Sequence, residues 1–222
     1  ISQLQNFYIN QYEYFLKYGL QLQKRDRLEM SSDRIGTFFH KAMETFINNT
    51  RQQQVELKEL VADSQELRRF IDEALQAAEK NQPELVRLTE SSTQAKFQYH
   101  QLRTIVTTML KTMCQQAQYT EARPFKTEAQ FGRIGSPNQV NLKALDYPLA
   151  SGDRIYLRGR IDRIDRLPKE QLTDLLQPSD FLTVVDYKSS NHTFDLTSAY
   201  YGISLQLLTY LNGLQSNLQE LD

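Results

Sequence analysis

The run Phe181-Leu182-Thr183-Val184-Val185-Asp186-Tyr187-Lys188 decides how this chain is read. An apolar, β-branched lead-in ends in an acid and a base two residues apart, and on a strand that spacing puts both on one face. A carboxylate that follows a buried run is desolvated unless donors or a cation compensate it. An acid and a base side by side there suit a centre holding a divalent cation next to a phosphate. An ordinary ion pair near a strand end is the alternative, and Ser189-Ser190 is read as ending the strand.

Working outward, Arg154 to Leu167 is a second strand candidate containing Gly159-Arg160-Ile161-Asp162. Alternation sets Ile155, Leu157 and Ile161 on one face and Asp162 on the other, with Gly159 leaving room for a close approach. Taken alone, Asp162 reads equally as the salt-bridge partner of a nearby arginine. Arg154, Arg158, Arg160, Arg163 and Arg166 form the densest basic cluster, either a nucleic-acid contact or partners for Asp153, Asp162 and Asp165. The net charge of −1 argues against a chain coated in positive charge for nucleic acid.

Further strands are predicted at Phe125 to Phe131, Val140 to Leu145 and Phe181 to Tyr187. Gly132, Gly135, Pro137, Pro148 and Gly152 mark turns, and Leu167 to Asp180, with Pro168 and Pro178, reads as a loop or short helix. From Ile1 to about Gln118 the period is helical. Gly19 ends or interrupts a first helix, Ser31-Ser32-Asp33 opens one through Phe38, Phe39, Met43 and Phe46, and the charge-rich stretch 52–81 forms one or two surface helices. Pro83 opens another turn, and Ser91-Ser92-Thr93 starts a longer helix with Phe97, Leu102, Ile105, Val106, Met109, Leu110 and Met113. From about Asp195 the chain is helical again through Ile203, Leu207, Leu208, Leu211 and Leu214, with Gln206 and Tyr210 on one face. This order predicts an α+β fold, helices flanking a small central sheet.

A chain of 222 residues suffices for one generous domain. No stretch approaches the roughly 18 consecutive apolar residues of a membrane span, so a soluble protein with no membrane partner is expected. The start at Ile1 shows no leader pattern and suggests a piece excised from something longer. A lone Cys114 cannot build a thiolate site, reads as a small core residue and fits a reducing cytoplasm. His40 is a satisfied boundary residue or an imidazole ligand, and Glu128 is a further candidate carboxylate. His100 and His192 have no comparable context.

The order Gly36…His40, Glu128, Gly159-Arg160-Ile161-Asp162, Asp186-Tyr187-Lys188, Gln206-Leu207-Leu208-Thr209-Tyr210 resembles the RecB-type branch of the PD-(D/E)XK nuclease superfamily. With the opening Leu4-Gln5-Asn6-Phe7-Tyr8 and Tyr14-Phe15-Leu16-Lys17-Tyr18-Gly19-Leu20, and the closing Ser204 to Leu211, it is similar to the nuclease domain of AddB/RexB-type helicase–nuclease subunits. The resemblance implies a restriction-endonuclease-like core with a small mixed sheet, over a single nuclease domain of residues 1–222: a mostly helical part at 1–118, then sheet and closing helix at 119–222. It implies Asp162 and Asp186 as metal-binding carboxylates, Lys188 as the catalytic lysine and His40 as a further ligand. Gln206 and Tyr210 would support the centre and contact DNA, with Glu128 and Arg160 beside them. It implies Mg²⁺, with Mn²⁺ as a substitute. The substrate would be single-stranded DNA from unwound double-strand ends, the partner an AddA/RexA-type subunit in a heterodimer, and the reaction degradation of the 5′-terminated strand in cytoplasmic DNA repair. Some relatives of this kind carry a four-thiolate iron–sulfur cluster. Asn10 stands where its first cysteine is expected, so no such cluster is predicted, and packing of Phe7, Tyr8 and Phe15 is expected to pin the N-terminal helix instead.

Overall fold

The computed structural model describes residues 1–22, 30–132, 141–168, 180–188 and 193–218. The chain opens with α1 (Ser2–Ile9), α2 (Gln11–Tyr14) and a π-helical turn, Phe15–Gly19, ending at the predicted glycine. Asn10, in the position expected of a cluster cysteine, instead caps α2 by accepting a hydrogen bond from the Glu13 amide at 3.0 Å. Helix α3 (Ser32–Gln52) buries Phe38, Phe39, Met43, Phe46 and Ile47, a 3–4 spacing that lines one face.

The charge-rich stretch resolves into one long helix, α4 (Ser64–Asn81), preceded by a 3₁₀ turn at Glu59–Val61. As expected it lies at the surface, with Gln65, Arg68, Arg69, Asp72 and Gln76 exposed. Phe70, Ile71, Ala74, Leu75 and Ala78 recur at 3–4 spacing and are buried, so sparse apolar residues suffice when they share one face. Pro83 opens α5 (Pro83–Ser91), and the Ser92 hydroxyl caps α6 (Thr93–Gln116). Leu102, Val106, Leu110, Met113 and Cys114 of α6 complete this helical core, whereas Phe97, Ile105 and Met109 face outward.

Strand β1 (Arg123–Phe131) is central to a mixed sheet of order β2-β1-β5-β6, with β2 (Asn141–Leu142) parallel and β5 (Gly159–Leu167) antiparallel to it. Strand β6 (Phe181–Val185) pairs antiparallel with β5. The predicted α+β class with a small mixed sheet is therefore present. Three strand expectations need correction, the first being Val140 to Leu145: β2 ends at Leu142, and Leu145 opens β3 (Leu145–Pro148) in a separate hairpin. Arg154 to Leu167 is not one strand: β4 (Arg154–Leu157) pairs with β3 in that hairpin, and the chain leaves it at Arg158 to join the main sheet. Phe181 to Tyr187 is also shorter than expected, because the ladder stops at the pair Arg163–Val185 and leaves Asp186, Tyr187 and Lys188 beyond it.

The closing helix is two helices, α7 (Leu196–Tyr200) and α8 (Gln206–Gln215), separated by a turn in which Gly202 has φ +78°. Val140, Gly135, Pro137, Pro178, Ser189, Ser190 and His192 lie outside the described residues. Among those described, no helix is long and apolar enough to cross a membrane.

A second core lies between the sheet and α8, built on Ala129, Phe131, Leu142, Ile161, Ile164, Tyr210 and Leu214. The N-terminal helix reaches the C-terminal part through a bond from Gln5 Nε2 to the Ile203 carbonyl at 3.0 Å and through the Tyr8 ring over Gly202. Phe7 packs edge-on against Tyr8 and Tyr14, whereas Phe15 is half exposed and packs on its own turn at Gly19. At Gly159 the close approach is an internal one: a Cβ there would stand 2.8 Å from the Phe131 ring. Gly159→Ala is thus expected to lower stability by about 1–3 kcal/mol through overpacking, read as a lower denaturant midpoint with an unchanged m-value.

Candidate metal centre

Three segments from the two halves of the sequence converge where the helical core meets the sheet. Helix α3 brings His40, β1 brings Glu128 and β5 brings Asp162, with ligand atoms all within 4.8 Å of one another. Thr127 Oγ1 donates to Asn48 Oδ1 at 2.7 Å, tying β1 to α3 next to Glu128. The register places Glu128 between the pairs Thr127–Arg163 and Ala129–Ile161, opposite Asp162. Glu128 has φ +52°, a left-handed conformation that costs a non-glycine residue on the order of 1–3 kcal/mol. Both faces of this stretch are covered: Ala129 and Phe131 enter the second core, Glu128 faces His40 and Asp162, and all four residues Glu128 to Phe131 are buried.

Asp162 is buried, and its Oδ2 accepts the Tyr187 amide at 2.8 Å. The same oxygen stands 3.4 Å from His40 Nδ1, which is buried and has no hydrogen-bonded partner among the described residues. That orphaned nitrogen and the two facing carboxylates form a mixed N and O donor set suited to a divalent cation. The Asp162 carboxylate raises the His40 pKa, against the opposing effect of burial. Burial pushes Glu128 up to about 7, although Arg160 Nε approaches its Oε2 to 2.6 Å. Burial outweighs the ion pair, because the guanidinium is half in solvent and its field is screened.

Asp186 and Lys188 meet without the strand geometry expected of them. Lys188 Nζ lies 2.7 Å from Asp186 Oδ2, and Gln206 of α8 joins the two. Its Oε1 accepts from Lys188 Nζ at 2.9 Å, and its Nε2 donates to Asp186 Oδ1 at 2.8 Å and to the Tyr210 hydroxyl at 2.9 Å. Burial raises the Asp186 pKa, with Lys188 opposing and the Asp162 charge adding to the rise. Asp186 stands outside the three-residue donor cluster, so the geometry sets Glu128, not Asp186, beside His40 and Asp162.

Tyr187 is a residue of this centre that no sequence signal marked. Its ring packs edge-on near Phe39 and His40, and its hydroxyl accepts from Arg163 Nη1 at 2.9 Å. Arg163 is itself largely buried and ion-paired to Asp165 at 2.8 Å. The basic cluster is mostly paired: Arg154 to Asp146, Arg160 to Glu128, Arg163 to Asp165 and Arg166 to Asp180. Those partners, Asp165 apart, are not the ones expected, because strand register chooses them. Period 2 was the only signal in the sequence, and it does not reveal which strands are neighbours.

A buried carboxylate pair facing an imidazole on this α+β frame has the chemistry of a divalent-cation centre. The chain belongs to the PD-(D/E)XK nuclease superfamily, whose pattern it matches over residues 1–222. It is 62% identical over its whole length to the B-type subunit of the ATP-dependent helicase/deoxyribonuclease of Limosilactobacillus reuteri (strain DSM 20016), and covers 17% of that protein. Similar relatives of the same name occur in Limosilactobacillus fermentum, 40% identical over 97% of this chain and 18% of the relative, and in Lactiplantibacillus plantarum, 38% identical over all of this chain and 17% of the relative. The chain thus spans under a fifth of the length of these relatives.

The shifted acids and the imidazole set a common pH trend. Glu128 in the fold holds its proton from its ordinary 4.5 up to about 7. Over that window the folded state binds more protons than the unfolded one, so stability falls as pH rises. His40, with its pKa raised above 6.5, acts in the same sense: its contribution is complete below 6.5 and is lost as pH climbs through its folded value. Glu128→Gln is expected to flatten the profile between pH 4.5 and 7 by on the order of 3 kcal/mol, measured by urea unfolding at several pH values.

Proposed function

We propose that the chain is a divalent-cation-dependent deoxyribonuclease domain that hydrolyses phosphodiester bonds at DNA ends within a helicase–nuclease assembly. The observation that carries this reading is the convergence of His40, Glu128 and Asp162 beside the Asp186–Lys188–Gln206 network. His40, Glu128 and Asp162 would hold Mg²⁺ or Mn²⁺, with Asp186 adjacent as a further carboxylate. When bound, the cation polarises the scissile phosphate and lowers the pKa of a bound water. Lys188 supplies a cation held in place by Asp186 and Gln206, able to orient the attacking water or offset charge developing on the phosphate. Gln206 spends both ends of its amide on this arrangement, and Tyr210 anchors it against the sheet core. Arg160, half exposed beside Glu128, is the positive group best placed to meet a phosphate outside the centre.

The relatives' name, which makes each of them part of an ATP-dependent helicase/deoxyribonuclease, supports a helicase–nuclease partner for this chain, of the AddA/RexA type in a heterodimer. On that reading the substrate is single-stranded DNA unwound from double-strand ends, the 5′-terminated strand is the one degraded, and the setting is recombinational repair in the cytoplasm.

Degradation of end-labelled single-stranded DNA tests this. Wild type is expected to cleave with Mg²⁺ or Mn²⁺ and to stop in EDTA. Asp186→Ala and Lys188→Ala are each expected to lower kcat by about 100-fold or more while remaining folded by circular dichroism. Wild-type rates in both variants would refute the assignment. No cleavage by a folded wild type would favour a module that binds DNA or docks a partner without cutting.

A further inference from the structure

Gly36 sits inside α3, where glycine is a poor helix former because it gives up more backbone freedom than any other residue. Its φ lies outside the left-handed region, so conformation does not require it. Packing does not require it either, since a Cβ there would meet no heavy atom of the described residues within 4 Å. The other glycines among those residues each have a neighbour within contact distance of that position or a positive φ.

The space in front of Gly36 is an open cleft of about 780 Å³, lined among others by Asp33, His40, Lys41, Glu44, Glu128 and Arg160. Gly36 precedes His40 by four residues, hence on the same helix face and about 6 Å along the axis. Lys41, partly exposed, and Arg160, half exposed, put positive charge on the walls, paired to Glu44 and Glu128 respectively. A phosphate entering the cleft competes with those carboxylates for the same donors. Asp33, Glu44 and Glu128 line the same cleft, so its charge is mixed, and what favours a strand there is the bare floor at Gly36 leading to the proposed cation centre of His40, Glu128 and Asp162.

Building on the nuclease reading, we propose that Gly36 keeps a lane open across α3 for the sugar–phosphate backbone of the substrate strand, next to the point of cleavage. Any side chain at 36 would project into that lane and lift the strand away from His40.

The test compares wild type with Gly36→Ala and Gly36→Gln. Both residues favour a helix over glycine, so each variant should melt about 2–4 °C higher. Gly36→Gln should nevertheless bind a fluorescein-labelled single-stranded oligonucleotide about tenfold more weakly by anisotropy in EDTA, with a similar rise in KM and little change in kcat. Gly36→Ala should fall between the two. A more stable Gly36→Gln protein with wild-type affinity and KM would overturn the lane, even if wild type cleaves DNA. Binding lost in Gly36→Gln, when wild type binds but does not cleave, would keep the lane and remove the nuclease reading. A wild type that does not bind the oligonucleotide overturns both.

Discussion

Asp162 is the residue on which the arrangement of this protein turns. A carboxylate buried on a central strand is costly unless donors meet it. Here the Tyr187 amide donates to it and His40 faces it, so one side chain ties β5 to the segment after β6 and to α3. The three residues after Val185 have left the ladder, and the Tyr187 amide on Asp162 substitutes for the missing strand pairing. The Arg163–Tyr187 bond holds the ring side of the same residue. Asp186 and Lys188, on either side of Tyr187, are thereby turned towards Gln206 of α8.

The same junction concentrates unfavourable terms that ordinary folding does not select. Glu128 is held in a left-handed conformation and buried opposite another carboxylate, with its pKa pushed up to about 7. His40 Nδ1 is left without a hydrogen bond among the described residues, and Gly36 weakens α3 one turn away. Strain, desolvated charge and a buried nitrogen met only by a 3.4 Å contact to a carboxylate are the marks of a centre shaped for a ligand. The two hydrophobic cores flanking it supply the stability that such a centre draws on.

Much of this was legible along the chain because local chemistry is local. The capping serine before α6, Pro83 at the head of α5 and the 3–4 spacing of α3 act within a few residues, and the structure follows them. The pairing of Gln206 with Tyr210 was legible for the same reason, being one turn of helix. What misled was length of pattern. Alternation ran on through Arg158 and through Tyr187, yet both strands end earlier, because pairing partners rather than propensity set where a ladder stops.

By itself, the sequence determined which residue types are available for chemistry and the secondary structure that carries most of them, since periodicity, caps and turn residues are short-range properties. Only the tertiary structure decided which of them meet. Register set Glu128 opposite Asp162, helix docking brought His40 to both, and sheet order paired Arg160 with Glu128 of the neighbouring strand. Those choices depend on contacts between residues up to more than a hundred positions apart, such as His40 and Asp162, and no pattern confined to one segment encodes them.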